Sequence, residues 1–346
     1  MRVSAMLPFS ARFPGLYCTV IPGLLAAVVL SGCGEQESRE PPAPDARPAM
    51  EEGTPSDLPA GAQARSLLGE PLFPPPLPAD LQDSREADLE AAEAERAAAM
   101  DDPETWIWVG RRQAYLGRYR EAVRTFTQAL ERFPDDPAIL RHRGHRWITL
   151  REFDRAVEDL TLGVELARAQ GRLDEVEPDG LPNPAGIPLT TLGFNLWYHL
   201  ALAEYLKGDF EAARRGWEST LEVSGNPDLQ VAGRYWLHLT LRQLGDSVAA
   251  QEVVAEVTPD LDLLENQSYH DLILYFRGIR SREEALPEEG EGLGTVTVLY
   301  GIGAHALLRG EEEEARHRFL EILSRLDQWP AFGYLAAEAE VARRGW

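Results

Sequence analysis

The stretch PETWIWVGRRQAYLGRYREAVRTFTQALERFPDD, residues 103–136, decides the fold, because most of the chain after it repeats the same pattern. Small and aromatic residues recur at helical spacing on both sides of Gly117, which predicts two helices joined by a tight turn. Pro134 ends the second helix, because proline cannot continue one. The stretch therefore predicts a helix–turn–helix building block.

The stretch resembles the tetratricopeptide repeat, since residues of the required types lie at the offsets of that family: Trp106, Gly110, Ala122, Phe126, Ala129 and Pro134. One position differs, because Gln113 stands where the family has tyrosine. The turn residue marks each further copy of the unit, at Gly117, Arg151, Gly208, Gly245, Gly278 and Gly310. The spacings of 34, 57, 37, 33 and 32 residues indicate one insertion, at residues 171–193.

The resemblance implies an all-α fold, a right-handed α-solenoid of five to six helix pairs that occupies residues 80–346. Helices at residues 80–100 and 331–344 are expected to cap its two ends. The fifth pair is expected to be degenerate, because Pro287 and the acidic, glycine-rich residues 288–294 shorten its second helix.

The N-terminus, residues 1–32, has the features of a signal peptide. Arg2 and Arg12 precede an uncharged run, and Leu-Ser-Gly-Cys at residues 30–33 resembles the bacterial lipobox. This resemblance implies that Cys33 is the first mature residue and carries acyl chains that anchor the protein to a membrane. Gly34 favours, by the same resemblance, the outer membrane facing the periplasm. The alternative is an ordinary thiol after an uncleaved anchor.

Residues 33–79 are expected to form a disordered linker behind the lipidated cysteine. They contain eleven of the 25 prolines of the chain and have no sustained apolar pattern. Such a segment cannot bury enough apolar surface to fold. The linker is therefore interpreted as a tether that holds the solenoid away from the membrane.

Composition and motifs exclude several classes of function. A formal net charge of -23 argues against nucleic acid as a partner, because binding to phosphates needs clustered positive charge. The sequence has no phosphate-loop, zinc or nucleophile motif, so neither an enzyme nor a cofactor is predicted. His142 and His145 have a spacing that suits a metal, but the flanking arginines disfavour a cation, and no metal site is predicted.

In the tetratricopeptide family, set positions on the first helix of each repeat line a concave groove that binds a partner. Carried onto this sequence, these positions give Arg111, Tyr115, Arg141, His145, Asn195, Tyr198, Tyr205, Tyr235, Arg242, Tyr275 and Tyr300. Tyrosine and arginine are enriched at binding hot spots. The alternative for each tyrosine is packing between helices, which is common for aromatic residues at helical spacing.

The sequence therefore predicts a membrane-anchored periplasmic scaffold that binds a protein or peptide of the cell envelope in this groove. Whether the protein forms a homo-oligomer stays open. The insertion contains Pro178, Pro182, Pro184 and Pro188 and is expected to fold over the groove, the alternative being a surface excursion without a partner. The second hypothesis is a small-ligand-binding or enzymatic solenoid with its pocket under residues 171–193.

Overall fold

A computed structural model describes residues 58–178, 183, 185–286 and 293–346, and these belong to one unit by their mutual contacts. The predicted signal peptide and Cys33 lie outside the described residues. Within the described ranges, no helix combines the length and the apolar character that crossing a bilayer requires.

The described chain consists almost entirely of α-helices, preceded by a short β-hairpin. The strands are β1 (Ala64–Arg65) and β2 (Pro71–Leu72). The helices are α1 (Ala79–Ala98), α2 (Pro103–Tyr115), α3 (Tyr119–Arg132), α4 (Pro137–Thr149), α5 (Phe153–Gln170), α6 (Leu192–Lys207), α7 (Phe210–Glu222), α8 (Pro227–Gln243), α9 (Ser247–Val254), α10 (Gln267–Phe276), α11 (Arg282–Ala285), α12 (Leu293–Leu307), α13 (Glu312–Leu323) and α14 (Phe332–Arg344). A 3-10 helix, Leu326–Gln328, precedes α14.

These helices form the predicted solenoid, with six pairs from α2–α3 to α12–α13 and with α1 and α14 at the ends of the chain. The fifth pair is degenerate, as predicted, because α11 has four residues. Each first helix contacts the first helix of the next pair, so α2, α4, α6, α8, α10 and α12 share one side of the array. We call the side formed by these first helices the inner face.

Local sequence explains where the first helices begin and how closely they pack. Asp102 and Asp136 accept hydrogen bonds from backbone N–H groups at the starts of α2 and α4, and proline follows each of them. Gly110 permits the close crossing of α2 and α3, because a Cβ atom there would lie 2.3 Å from the ring of Phe126. The small residues of the repeat are therefore required by packing, as the resemblance implied.

The linker was predicted to extend to residue 79, and this is wrong for residues 58–79. β1 and β2 pair antiparallel, and Ala64 and Leu72 are buried in the main hydrophobic core. The indole N–H of Trp329 donates to the carbonyl of Phe73 at 2.6 Å. The hairpin folds because the solenoid supplies the apolar surface that this proline-rich segment lacks by itself.

Helix α14 packs on the inner face in addition to closing the end of the array. It contacts α6 as well as α12 and α13. The ring of Phe332 lies 5.5 Å from that of His145 on α4 and 5.7 Å from that of His199 on α6. Near its other end, Arg343 donates to the carbonyl of Leu206 at 3.0 Å. The C-terminal helix therefore covers part of the surface that was predicted to hold a partner.

Candidate functional site

Four of the tyrosines predicted to line a groove are buried instead, namely Tyr198, Tyr205, Tyr235 and Tyr300. The hydroxyl oxygens of Tyr205 and Tyr300 lie 2.7 Å apart, and the Tyr198 hydroxyl accepts from the indole of Trp236 at 2.8 Å. The prediction that they form an open binding surface is wrong. Helix α14 covers α6 and α12, so the tyrosines pack internally, which was the alternative for each of them.

Arg242 and Tyr275 lie farther along the inner face. The guanidinium of Arg242 donates to the carbonyl of Leu308 at 2.9 Å, which ties the end of α8 to the end of α12. Tyr275 is partly exposed, and its ring lies 5.0 Å from that of His305. Arg242 is thus engaged in holding two repeats together rather than free for a partner.

A buried ion pair fixes α14 to the second repeat. Arg151 donates to one carboxylate oxygen of Glu338 from Nη2 at 2.7 Å and from Nε at 3.0 Å, and both side chains are almost completely buried. The other carboxylate oxygen accepts from the backbone N–H of Leu67 at 2.8 Å. Glu338 therefore joins three distant parts of the chain: the N-terminal hairpin, the turn after α4 and the C-terminal helix.

Arg151 also has a left-handed backbone conformation, with a φ of 68°, at a turn position where the other copies have glycine. A non-glycine residue adopts this conformation at an energetic cost of roughly 1–3 kcal/mol. Its side chain offsets the cost, because it also donates to the carbonyls of Thr149 at 2.7 Å and Trp329 at 3.1 Å. The departure from glycine thus provides the arginine that holds α14.

The opposite end of the inner face carries a cluster of basic side chains from α2 and α4. The cluster consists of Arg111, Arg141, His142, His145 and Arg146, joined by Asn195 and His199 of α6. Arg111, Arg141, His145 and Asn195 were predicted as groove residues, and the structure places them near one another. We call this group the arginine cluster.

The insertion folds over the arginine cluster and places one carboxylate in it. Glu177 lies 3.2 Å from Nε of Arg141 and 3.6 Å from Nε2 of His142, and it accepts a hydrogen bond from the Asn195 amide. The neighbouring carbonyl of Pro178 accepts from Arg111 at 2.8 Å. The described part of the insertion therefore covers the inner face, as the preferred hypothesis for this segment predicted.

Backbone and side-chain contacts on both sides hold the insertion in this place. Val176 and Thr191 form an antiparallel bridge, and Glu177 donates its backbone N–H to the carbonyl of Thr190 at 3.1 Å. Farther along, the Asn183 amide donates to Glu265 at 2.8 Å, and the Asn226 amide donates to a carbonyl of the insertion at 2.9 Å. The segment thus spans from the second repeat to the approach of the fifth.

The histidines of the cluster are held in the neutral form. Burial, and secondarily the nearby arginines, lower the pKa values of His142, His145 and His199 well below the ordinary range. Nδ1 of His142 accepts from Arg141 at 2.8 Å, so its single proton lies on Nε2, the nitrogen that faces Glu177. The positive charge of the cluster therefore comes from its arginines.

Arg146 differs from the other arginines of the cluster because no carboxylate of the described chain is paired with it. Its guanidinium lies 5.7 Å from the centre of the Tyr119 ring, a cation–π contact. Burial lowers its pKa to about 10. Three guanidinium groups thus share a partly buried site with one acid, Glu177, on a protein whose overall charge is strongly negative.

Beside the cluster, α2 presents aromatic and basic side chains that remain partly exposed. The guanidinium of Arg111 lies 4.4 Å from the centre of the Trp108 ring, and Tyr115 lies one turn farther along the same helix. This arrangement combines a flat apolar surface with positive charge. It is the part of the predicted groove where the predicted residues Arg111 and Tyr115 remain accessible.

Several residues of the site were not predicted from the sequence. Arg146, Glu177 and His199 lie outside the family positions that line a groove, and Glu338 belongs to a helix that was expected only as a cap. Arg151 carried a usable signal, because it is an arginine at a turn position that otherwise has glycine. Within the described residues, no group of three or more side chains could hold a metal ion.

Comparison with known proteins agrees with this architecture. A profile of the tetratricopeptide repeat family matches residues 103–145, which contain the first helix pair and part of α4. Comparison with curated proteins gives no match.

Three solved structures are similar in backbone arrangement. A tetratricopeptide repeat protein from Parabacteroides merdae has 17% identity and a TM-score of 0.44, over 75% of this chain and 95% of that one. BtubC (BKLC) from P. vanneervenii has 16% identity and a TM-score of 0.37, over 77% and 92%. The structure of Naa15/Naa10 bound to HypK-THB has 15% identity and a TM-score of 0.33, over 76% of this chain and 38% of that one.

Proposed function

We propose that the protein is a lipid-anchored scaffold of the bacterial cell envelope that binds a protein or peptide segment at the α2–α4 end of its inner face. The observation that carries this proposal is the partly exposed group of Trp108, Arg111 and Tyr115 beside the arginine cluster. Aromatic residues and arginine contribute most of the binding free energy in typical interfaces. The partner segment is expected to be acidic with apolar side chains, because it must match both features.

Two further observations support a scaffold. The chain is an all-α solenoid that carries a tetratricopeptide repeat, and this fold suggests protein interaction. The inner face also holds a helix already, since α14 packs across α6 and is fixed by Glu338. A surface that accommodates one helix of the chain has the shape and the apolar character to accommodate a partner segment beside it.

The anchoring part of the proposal rests on the sequence. The lipobox at residues 30–33 and the proline-rich residues that follow support a lipidated Cys33 and an outer-membrane location facing the periplasm. Cys33→Ala should release the protein from the membrane to the soluble fraction after cell lysis. Retention of this variant in the membrane fraction would instead mean that an uncleaved segment anchors the chain.

The binding part is tested by crosslinking and capture from solubilised envelopes. A photoreactive residue in place of Tyr115 should crosslink to one partner, and Trp108→Ala combined with Arg111→Ala should reduce the captured amount at least tenfold. Arg124→Ala is the matched control, because Arg124 is exposed on a second helix, α3. Equal capture by the double variant and the control would contradict the proposal.

A second candidate function is supported by the insertion. Residues 171–178 cover the arginine cluster and place a carboxylate inside it, which is the arrangement of a pocket for a small anionic ligand. This candidate needs no protein partner. It is distinguished by direct binding of a small molecule to the purified protein.

A further inference from the structure

We propose that the arginine cluster is a binding site for a doubly charged anionic group, of the kind that a phosphate monoester carries, and that Glu177 occupies this site as an internal anion. The inference deepens the second candidate function, since it rests on a ligand site under the insertion and names the chemical class of the ligand. It does not depend on the identity of a protein partner.

The donors of the cluster converge on one place. Arg141, His142 and Asn195, from two neighbouring first helices, all direct nitrogen atoms at the carboxylate of Glu177. Arg111 of α2 reaches the adjacent Pro178 carbonyl. Guanidinium, amide and imidazole N–H groups are the donors that phosphate oxygens accept from in proteins, and a guanidinium can bind two oxygens at once.

The charges in the cluster do not balance. Arg111, Arg141 and Arg146 lie near enough to one another for their mutual repulsion to lower the pKa values of Arg141 and Arg146, after burial as the main cause. Glu177 supplies one negative charge, and the histidines are neutral. Buried or partly buried charges are normally paired. A single carboxylate leaves two guanidinium charges without a counter-charge, and a dianion supplies what is missing.

The surrounding charged groups do not supply the missing counter-charge. Glu338 is the nearest acid on α14 to this region and is paired with Arg151. From α1, Arg85 adds positive character, because it donates to the carbonyl of Tyr115 at 2.5 Å. Nε of Arg141 is buried and has no hydrogen-bond partner within the described residues. One guanidinium N–H group and all of Arg146 are therefore left for a ligand.

Glu177 can be displaced without unfolding a helix. It belongs to the insertion and not to a helix of the repeats, and its neighbour Val176 is largely exposed, at 56%. A phosphate group that enters the cluster competes with this carboxylate for Arg141 and Asn195. Removal of the Glu177 charge should therefore strengthen anion binding, whereas removal of an arginine should weaken it.

The test is calorimetric titration of the purified full-length protein in detergent at low ionic strength, with inorganic phosphate, glucose 6-phosphate, a phosphoserine peptide and acetate. We expect saturable binding of the phosphate compounds and at least tenfold weaker binding of acetate. Glu177→Gln, which keeps the shape of the side chain, should bind phosphate at least tenfold more tightly than the unchanged protein. Arg146→Gln and Arg141→Gln should each bind it at least tenfold more weakly.

Arg124→Gln is the matched control and should leave binding unchanged, and a thermal melt of each variant identifies any loss of fold. Tighter binding of the phosphoserine peptide than of glucose 6-phosphate would identify a phosphorylated protein as the source of the group; the reverse would identify a small metabolite. Failure of phosphate to bind to the Glu177→Gln protein, or acetate binding as tight as phosphate, would overturn the inference. Capture of a protein partner by a chain that binds no phosphate would leave the scaffold proposal intact.

Discussion

The two ends of the inner face follow the same repeat pattern but differ in what covers them. At the α6–α12 end, tyrosines and tryptophans pack under α14, and the ion pair of Arg151 with Glu338 fixes that helix. At the α2–α4 end, arginines and partly exposed aromatic residues face the insertion, which contributes one carboxylate, that of Glu177. One end is therefore filled by the chain itself, and the other has an excess of positive charge.

This difference teaches that the repeat positions alone do not determine whether a side chain is available for binding. Tyr205 and Tyr115 were predicted by the same positional rule, yet Tyr205 is completely buried and Tyr115 is partly exposed. The covering segment decides, and it lies far away in the sequence. Variants that remove or unbalance a cover should therefore affect the two ends in different ways.

The largest expected effect follows from breaking the ion pair that fixes α14. Glu338→Ala leaves Arg151 buried without its carboxylate and the N–H of Leu67 without its acceptor. The free energy of unfolding should fall by about 3–5 kcal/mol, the usual cost of an unpaired buried charge. Urea unfolding followed by circular dichroism measures it.

The matched variant removes both charges at once. Arg151→Met combined with Glu338→Leu should cost less than Glu338→Ala alone, because no charge then remains buried without a partner. A loss below about 1 kcal/mol for Glu338→Ala would show that α14 is not held as described. In that case the contrast between the two ends of the inner face would disappear.

Much of the fold could be predicted because the repeat is a local signal. Each of the six turn residues identified by spacing has a positive φ in the structure, including Arg151, the one that is not glycine. Helix pairs, their order and the degenerate fifth pair follow from such short-range patterns. The position of α14 does not, because periodicity indicates that a helix exists but not which distant surface it covers.

The sequence of α14 nevertheless contained an unused signal. It has alanine or glycine at Gly333, Ala336, Ala337 and Ala339, and a Cβ atom at Gly333 would lie 2.8 Å from a backbone oxygen of α12. Small residues around a helix predict close packing on more than one side. The same reasoning applies to residues 58–79, whose few apolar side chains become stable only against the assembled solenoid.

The arginine cluster could be predicted only in part. Arg111 and Arg141 lie at family positions on adjacent first helices, and these were found. Arg146 was missed because it lies outside the positions that line a groove in the family. Glu177 was missed because the pairing of an insertion residue with a helix depends on tertiary structure.

An intermediate effect concerns pH and sharpens the contrast between the histidines of the two ends. Those at the α2–α4 end lie among arginines, whereas His238 and His305 stack on the ring of Phe276 at 4.9 and 5.1 Å. Burial lowers the pKa values of His238 and His305 to about 4 each. In the unfolded chain, the pKa of histidine is about 6.5.

At pH 7 both states are neutral and these histidines do not affect stability. Between about pH 6.5 and pH 4 the unfolded chain binds protons that the folded chain does not, so the free energy of unfolding falls by up to about 1.4 kcal/mol per pH unit for each histidine. Below about pH 4 the folded state is protonated as well, and this loss stops. Urea unfolding between pH 7 and pH 4.5 should show a shallower decline for His238→Gln and for His305→Gln; an unchanged slope would contradict the neutral, buried state.

The smallest expected effect compares one tyrosine from each end directly. Tyr205→Phe removes one partner of the 2.7 Å hydrogen bond with Tyr300 and leaves that buried hydroxyl unsatisfied, so the free energy of unfolding should fall by about 1–2 kcal/mol. Tyr115→Phe is the control at the other end, where the ring is partly exposed, and it should change stability by less than about 0.5 kcal/mol. In the capture experiment the order should reverse, because Tyr115 lies on the accessible surface and Tyr205 does not. If Tyr205→Phe weakens capture without loss of stability, the tyrosines do reach a partner and α14 must leave the inner face when the partner binds.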